Sequence, residues 1–294
     1  SDDEVGGVDF DVVQQSSDIK QGVDEGDEKE QGAGDQGIMV GYAVDTPEFD
    51  LMPIAHTLAR RLIRRLDHLR REGTLPFLRP DNKSQVVMRN GCVERVTIAT
   101  QHTADVTLGE LREAVHRDVI VPIVGDIAFD RCQINGTGRF VNGSFAADAG
   151  VTGRKIVVDQ YGPWVPVGGG AFSGKDPSKV DRTAAYMARY IAKTIVVRGM
   201  AKEALVHLAY TIGFAEPDSV SARVFGATDP SFDFERWIRD TFELSPELHA
   251  LLRAWFAHNP GKLADLRGYQ CAYRRAIIAV GGRATGTHGI RRAA

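Results

Sequence analysis

Cysteine is scarce in this chain: Cys92, Cys132 and Cys271 are the only three. They are odd in number, far apart and never at the close Cys/His spacing of a zinc site, which argues against both a disulfide framework and a structural zinc module. Reduced, buried thiols in a cytoplasmic protein are the expectation. Long apolar runs are missing too. Nothing approaches the roughly 20 residues that span a bilayer, and the acidic start is the opposite of a secretion signal, so no membrane partner is expected. Net charge is small, −3 with a pI near 6.2, and no basic arm stands out, so nucleic acid is not expected as a partner. The sequence also lacks a nucleophile elbow, a Cys/His nucleophile arrangement and a zinc helix. A covalent enzyme intermediate has no visible agent.

The 294 residues, 43% hydrophobic and 26% charged, suffice for one large or two medium cores. The first stretch, through about Asp35, is acidic and glycine-containing with Phe10 as its sole aromatic, and reads as a disordered tail or a mobile loop. From Ile54 to Arg71 the residues Ile54, Leu58, Leu62, Leu66 and Leu69 recur at helical spacing, with arginines on the other faces and Gly73 as a stop. This predicts an amphipathic helix resting on a sheet. Strands follow at Val86–Met88 and Val93–Ala99, and Thr107 with Glu110 forms a capping-box pair opening a helix toward Val124.

The pattern then repeats loosely: a strand near Lys155–Asp159, a helix from about Pro177 to Arg198 closed by Gly199, and strands at Ala204–Ile212 and Val220–Phe225. A helical region covers Phe234–Ala257, within which Ser245 and Pro246 begin a fresh helix. The economical fold class is α+β, with two two-layer units that each carry a small sheet and two helices.

The stretch Gly168–Lys179, GGGAFSGKDPSK, carries the chemistry. Glycines let backbone N–H groups approach an anion, and the helix start at Asp176–Pro177 adds about half a positive charge. Gly169–Lys175 satisfies the first seven positions of a P-loop, but Asp176 stands where that motif needs Ser or Thr for magnesium, which disfavours a P-loop enzyme. Lys175, Lys179 and Asp181 surround the start of one helix, as a polyphosphate with Mg2+ requires. Arg154 and Lys155 add an adjacent cation pair after Asp148, and Asp81 to Lys83 offers one more lysine.

GAGDQG at Gly32–Gly37 and the Gly168–Lys179 stretch both resemble signatures of the methionine adenosyltransferases (S-adenosylmethionine synthetases). The resemblance extends through QSSDIKQGVD at Gln15–Asp24, GTLPFLRPDNKSQV at Gly73–Val86, TQH at Thr100–His102, NGTGRFV at Asn135–Val141 and TGRKIVVDQYG at Thr152–Gly162. It implies an enzyme that joins L-methionine to ATP. The sulfur attacks the ribose C5′, triphosphate leaves, and it is then split to pyrophosphate and phosphate, with Mg2+ and K+ as cofactors. Position by position, the resemblance assigns ATP contacts to Asp81, Lys83, Arg139, Phe140, Asp148, Arg154, Lys155, Ala171 and Lys175, with Phe140 stacking on adenine. Catalytic charge stabilisation would fall to Lys83, Arg154, Lys155 and Lys175, methionine to Gln15, Asp148 and Lys179, and magnesium to Asp181. The segment from about Gln15 to Glu25 would be a mobile loop over the site. The family also implies a homodimer or homotetramer with active sites between subunits, in the cytoplasm.

The resemblance divides the chain into residues 1–31, a remnant of an N-terminal domain with the loop; 32–142, a central domain; 143–272, a C-terminal domain; and a tail, 273–294. About two of the family's usual three repeated units are expected. The family's GHPDK-like N-terminal motif has no counterpart in this sequence, and Tyr273–Ala294 departs from the family's usual end, either by divergence or by a shifted reading frame. Two functions are therefore expected to compete: S-adenosylmethionine synthesis, with little turnover by this chain alone, and a non-catalytic nucleotide- or triphosphate-binding remnant or regulatory partner of a full-length enzyme.

Overall fold

A computed structural model of the chain describes residues 32–147, 150–175 and 179–246. They fall into two compact units. One runs over Pro53–Val151; the other joins the segment up to Met52 to the chain from Thr152 onward.

In the first unit, helix α1 (Ile54–Arg71) forms over the expected span because Leu58, Leu62, Leu66 and Leu69 line one stripe, and all four are buried. Burying such side chains stabilises by about 1.5–3 kcal/mol each. Leu62, Leu66 and Leu69 pack in one core with the hairpin of β2 (Leu78–Arg89) and β3 (Cys92–His102). The hairpin turns at Asn90 and Gly91, both at positive φ, as a tight two-residue connection requires. β4 (Cys132–Ile134) adds a parallel third strand, with Val96 opposite Cys132 and Ile98 opposite Ile134. Helix α2 (Leu108–Val115) opens on the capping box of Thr107 and Glu110, with both reciprocal bonds made.

The helical path reaches Val124 as expected, but through a wide π turn at His116–Ile120. Pro122 explains part of this geometry. It has no N–H to give to the Asp118 carbonyl four residues back, and Arg65 Nε donates to that oxygen instead at 3.1 Å.

In the second unit β1 (Gly37–Val44), β5 (Glu203–Tyr210) and β6 (Ser219–Phe225) form an antiparallel sheet in the order β1-β5-β6. Helix α3 (Val180–Val197) covers one face, packing Met187, Ile191 and Ile195 with Met39, Ala43, Val206 and Leu208 in one core. On the other face Val40 and Leu205 pack with Tyr161 and Val165. Arg189 of α3 donates to the carbonyls of Tyr42, Leu51 and Asp50, and Lys193 pairs with Asp50 at 2.7 Å, so the helix secures the loop that leaves β1. Helix α4 (Phe234–Thr241) starts at Asp233, whose carboxylate accepts from the Arg236 amide at 3.0 Å.

Some expectations need correction. Lys155–Asp159 is not a strand but contains a single helical turn, Ile156–Asp159, in which the Asp159 amide donates to the Lys155 carbonyl. Val157 and Val158 suggest a strand, yet they are exposed and pair with no neighbouring strand. The cysteines are not uniformly buried either: Cys92 is exposed at the hairpin and Cys132 is half-buried. The first helix of the Phe234–Ala257 region ends at Thr241, where Phe242 is extended and packs edge-on to Tyr190 and Trp237; Pro246 is helical again, as expected for a fresh start, and residues 247–257 lie outside the described residues. The helix start at Asp176–Pro177, the mobile loop, Cys271 and the tail lie outside the described residues.

Candidate functional site

The glycine-rich stretch is seated against the second unit's sheet and helix. A Cβ on Gly168 would stand 1.8 Å from the Ile38 carbonyl oxygen, and one on Gly170 2.4 Å from Asp181 Oδ1, so only glycine fits this approach. Arg182 holds the same stretch from the helix. Its Nη1 donates to the Phe172 carbonyl at 2.9 Å and its Nε to the Tyr186 hydroxyl at 2.8 Å. Lys175 folds back to form an ion pair with Asp181, in the first turn of α3. Both are largely covered, with side chains 30% and 17% exposed.

Lys179 occupies the position just before α3, and its carbonyl accepts from the Arg182 and Thr183 amides. The positive end of the helix dipole and both lysines thus sit at one end of α3. The TGRK turn joins them: Gly153 approaches Ala171 so closely that an added Cβ would lie 2.6 Å from the Ala171 Cβ. Arg154 and Lys155 follow on that turn, both exposed. Arg154, Lys155, Ala171, Lys175, Lys179 and Asp181 therefore gather on two touching segments of one unit. Such an array of cations and glycine amides suits a polyphosphate.

In the first unit Asp81 and Lys83 lie on β2 and Phe140 follows β4. Lys83 and Arg139 are exposed, and Asp81 and Phe140 are half-buried. The structure links Asp81 to the Phe140 segment, since the Ser144 amide donates to Asp81 Oδ2 at 3.1 Å. Gly143 lies between them; a Cβ there would meet Phe140, Gln101 and Asp81 at 2.8–3.2 Å. Gln15 and Asp148 lie outside the described residues.

Among the described residues no three His, Cys, Asp or Glu side chains gather as a metal cluster. Asp181 is a single carboxylate with Oδ2 on an ammonium. That suits magnesium only in the way Mg2+ is usually held, by one or two carboxylates plus substrate phosphates. Nor is any helix among them long and apolar enough to cross a membrane.

Residues 30–140 match the family model for the S-adenosylmethionine synthetase central domain, and residues 142–254 match that for the C-terminal domain. Together these cover well over half of the sequence. The chain belongs to the S-adenosylmethionine synthetase family. Its two matched domains are mixed units of small sheets and helices, as expected for about two of the repeated α+β units. One strand is shared unexpectedly. β1 lies within the central-domain match, yet it pairs with β5 of the C-terminal-domain match.

Gln101 and His102 of the TQH motif and Arg182 carry no role assigned from the sequence. Each is tied by hydrogen bonds to a segment that carries assigned residues. The signal was available for Arg182, which directly follows Asp181.

Proposed function

We propose that this chain is a methionine adenosyltransferase component that binds ATP and L-methionine, and whose reaction is S-adenosylmethionine synthesis with release of pyrophosphate and phosphate. The observation that carries the reading is the glycine stretch seated on β1 and α3, with Lys175, Lys179, Arg154 and Lys155 around it. Asp81, Lys83, Arg139, Phe140, Asp148, Arg154, Lys155, Ala171 and Lys175 contact ATP in this reading, and Gln15, Asp148 and Lys179 hold methionine.

The methionine sulfur attacks C5′, the C5′–O bond breaks, and the triphosphate leaves with the electron pair. Lys83, Arg154, Lys155 and Lys175 oppose the charge that develops on it. Preorganised donors of this kind are worth about 10²- to 10³-fold in rate each. Asp181 would be the carboxylate that holds Mg2+, which would supply neutralising charge for the phosphates. K+ comes from the family resemblance, and no described residue is assigned to it. Residues 32–142 and 143–272 act as central and C-terminal domains, in a cytoplasmic homodimer or homotetramer with active sites between subunits.

The test is incubation of the purified protein with ATP, methionine, Mg2+ and K+, following S-adenosylmethionine and phosphate, alongside calorimetry with ATP. Product lost on Lys175→Ala supports the enzyme. ATP binding without turnover assigns the chain as a nucleotide-binding partner of a complete enzyme. Absence of both overturns the reading.

A further inference from the structure

We infer that Gln101 and His102 are positioning residues that strap the adenine-stacking segment 139–144 to the end of β3. The inference rests on the reading above for what that segment binds, and on the hydrogen bonds alone for how it is held.

The ladder between β3 and β4 ends at the pair Ile98–Ile134, so the last residues of β3 need other partners on that side. Asn135 supplies the first. Its Oδ1 accepts from the Thr100 amide at 2.8 Å and its Nδ2 donates to the Thr100 carbonyl at 2.9 Å, copying a strand neighbour. His102, only 2% exposed, supplies the next. Its amide donates to the Phe140 carbonyl at 2.9 Å, and the Phe140 amide donates to its Nε2 at 3.0 Å.

Since Phe140 N–H can only donate, Nε2 is the acceptor. Nδ1 then carries the proton and gives it to the Thr103 carbonyl at 2.7 Å, which fixes the neutral tautomer. Gln101 continues the strap, with Nε2 donating to the Val141 carbonyl at 3.0 Å and Oε1 accepting from the Ser144 hydroxyl at 2.7 Å. Ser144 in turn donates its amide to Asp81. Both amide functions of Gln101 and Nε2 of His102 therefore hold segment 139–144, while the His102 Nδ1–H bond to Thr103 fixes the ring orientation.

The experiment compares the full chain with His102→Ala, His102→Gln and His102→Asn, using ATP and sodium tripolyphosphate as calorimetric probes and hydrogen exchange at the Phe140 amide. Leaving the half-buried Phe140 amide without its acceptor should weaken ATP binding about tenfold in His102→Ala. Tripolyphosphate, which has no base to stack, should bind within about twofold of the parent, and Phe140 exchange should rise. Gln reaches the position of Nε2 with an acceptor and should restore both readouts; Asn, which ends near Nδ1, should not. Equal loss of both ligands, unchanged ATP affinity, or unchanged Phe140 protection overturns the strap, as does equal rescue by Asn. If the parent binds tripolyphosphate but not ATP, or neither, the nucleotide reading fails, and exchange at Phe140 alone decides the strap.

Discussion

Replacing Lys175 by Ala should do two separable things to triphosphate binding. It removes an ammonium from the glycine stretch, and a lost charge-assisted contact costs about 1.5–3 kcal/mol, or roughly 10- to 150-fold in affinity. It also uncovers a carboxylate, because Lys175 is the ion-pair partner of Asp181, whose side chain is only 17% exposed. A carboxylate about 7 Å from a phosphate charge, at an effective dielectric near 20, repels it by about 2 kcal/mol before salt screening.

Isothermal titration with tripolyphosphate, in Mg2+-free buffer at low ionic strength, separates the two. Lys175→Ala should bind at least tenfold more weakly than the parent. Adding Asp181→Asn should recover several-fold of that loss. In the parent, Asp181→Asn alone should leave binding unchanged or tighter while Mg2+ is absent. Equal affinity of parent and Lys175→Ala would refute the phosphate site, and weaker binding on adding Asp181→Asn would refute the role given to the ion pair.

Gly41 lies where β1 meets α3, and a Cβ there would stand 1.9 Å from the Ala188 carbonyl carbon. Gly41→Val should therefore lower the unfolding free energy by more than about 3 kcal/mol in a urea titration. His207 has its pKa held below the ordinary value by burial and then by the nearby Arg223 charge. The unfolded chain then takes up the proton first as pH falls through about 6.5, so stability present above that pH is lost toward the lower folded pKa. Melting temperature should decline between pH 7 and 5, and the decline should be shallower in His207→Gln. Thr107→Ala removes the hydroxyl that accepts from the Glu110 amide, and thermal unfolding should register a loss of about 0.5–2 kcal/mol.

Helix α1 was legible to its ends because its four buried leucines repeat at the helical period and nothing polar interrupts the stripe. The capping box at Thr107 was legible for a similar reason: both partners lie within one turn. β2 was seen only in part, because its face toward α1 carries polar residues. Ser84 reaches the Ala59 carbonyl at 2.8 Å and Asn82 accepts from the Thr100 hydroxyl at 2.6 Å, so the expected apolar alternation is replaced by hydrogen bonds. The glycine stretch could be read because its residues are contiguous in the sequence. Gln101 and His102 could not, since their partners Phe140, Val141 and Ser144 come from a distant stretch of chain.

β1 escaped for a different reason, and it bears on how the two matched domains are built. Its GIMVGYAV sequence starts at the last glycine of the GAGDQG signature and lacks alternation, since Met39 and Val40 are both buried, on opposite faces of the sheet. A strand covered on both faces reads as a short apolar run, which periodicity alone does not assign. Its place follows from what it completes. Without β1 the edge of β5 would be unpaired, Gly168 would lose the Ile38 backbone it rests on, and Arg189 would lose its acceptor at Tyr42. The strand that comes first among the described residues therefore forms part of the support for the glycine stretch much later in the sequence. The unit that carries the glycine stretch is accordingly defined by pairing rather than by chain order: residues of the central-domain match support the loop that lies in the C-terminal-domain match.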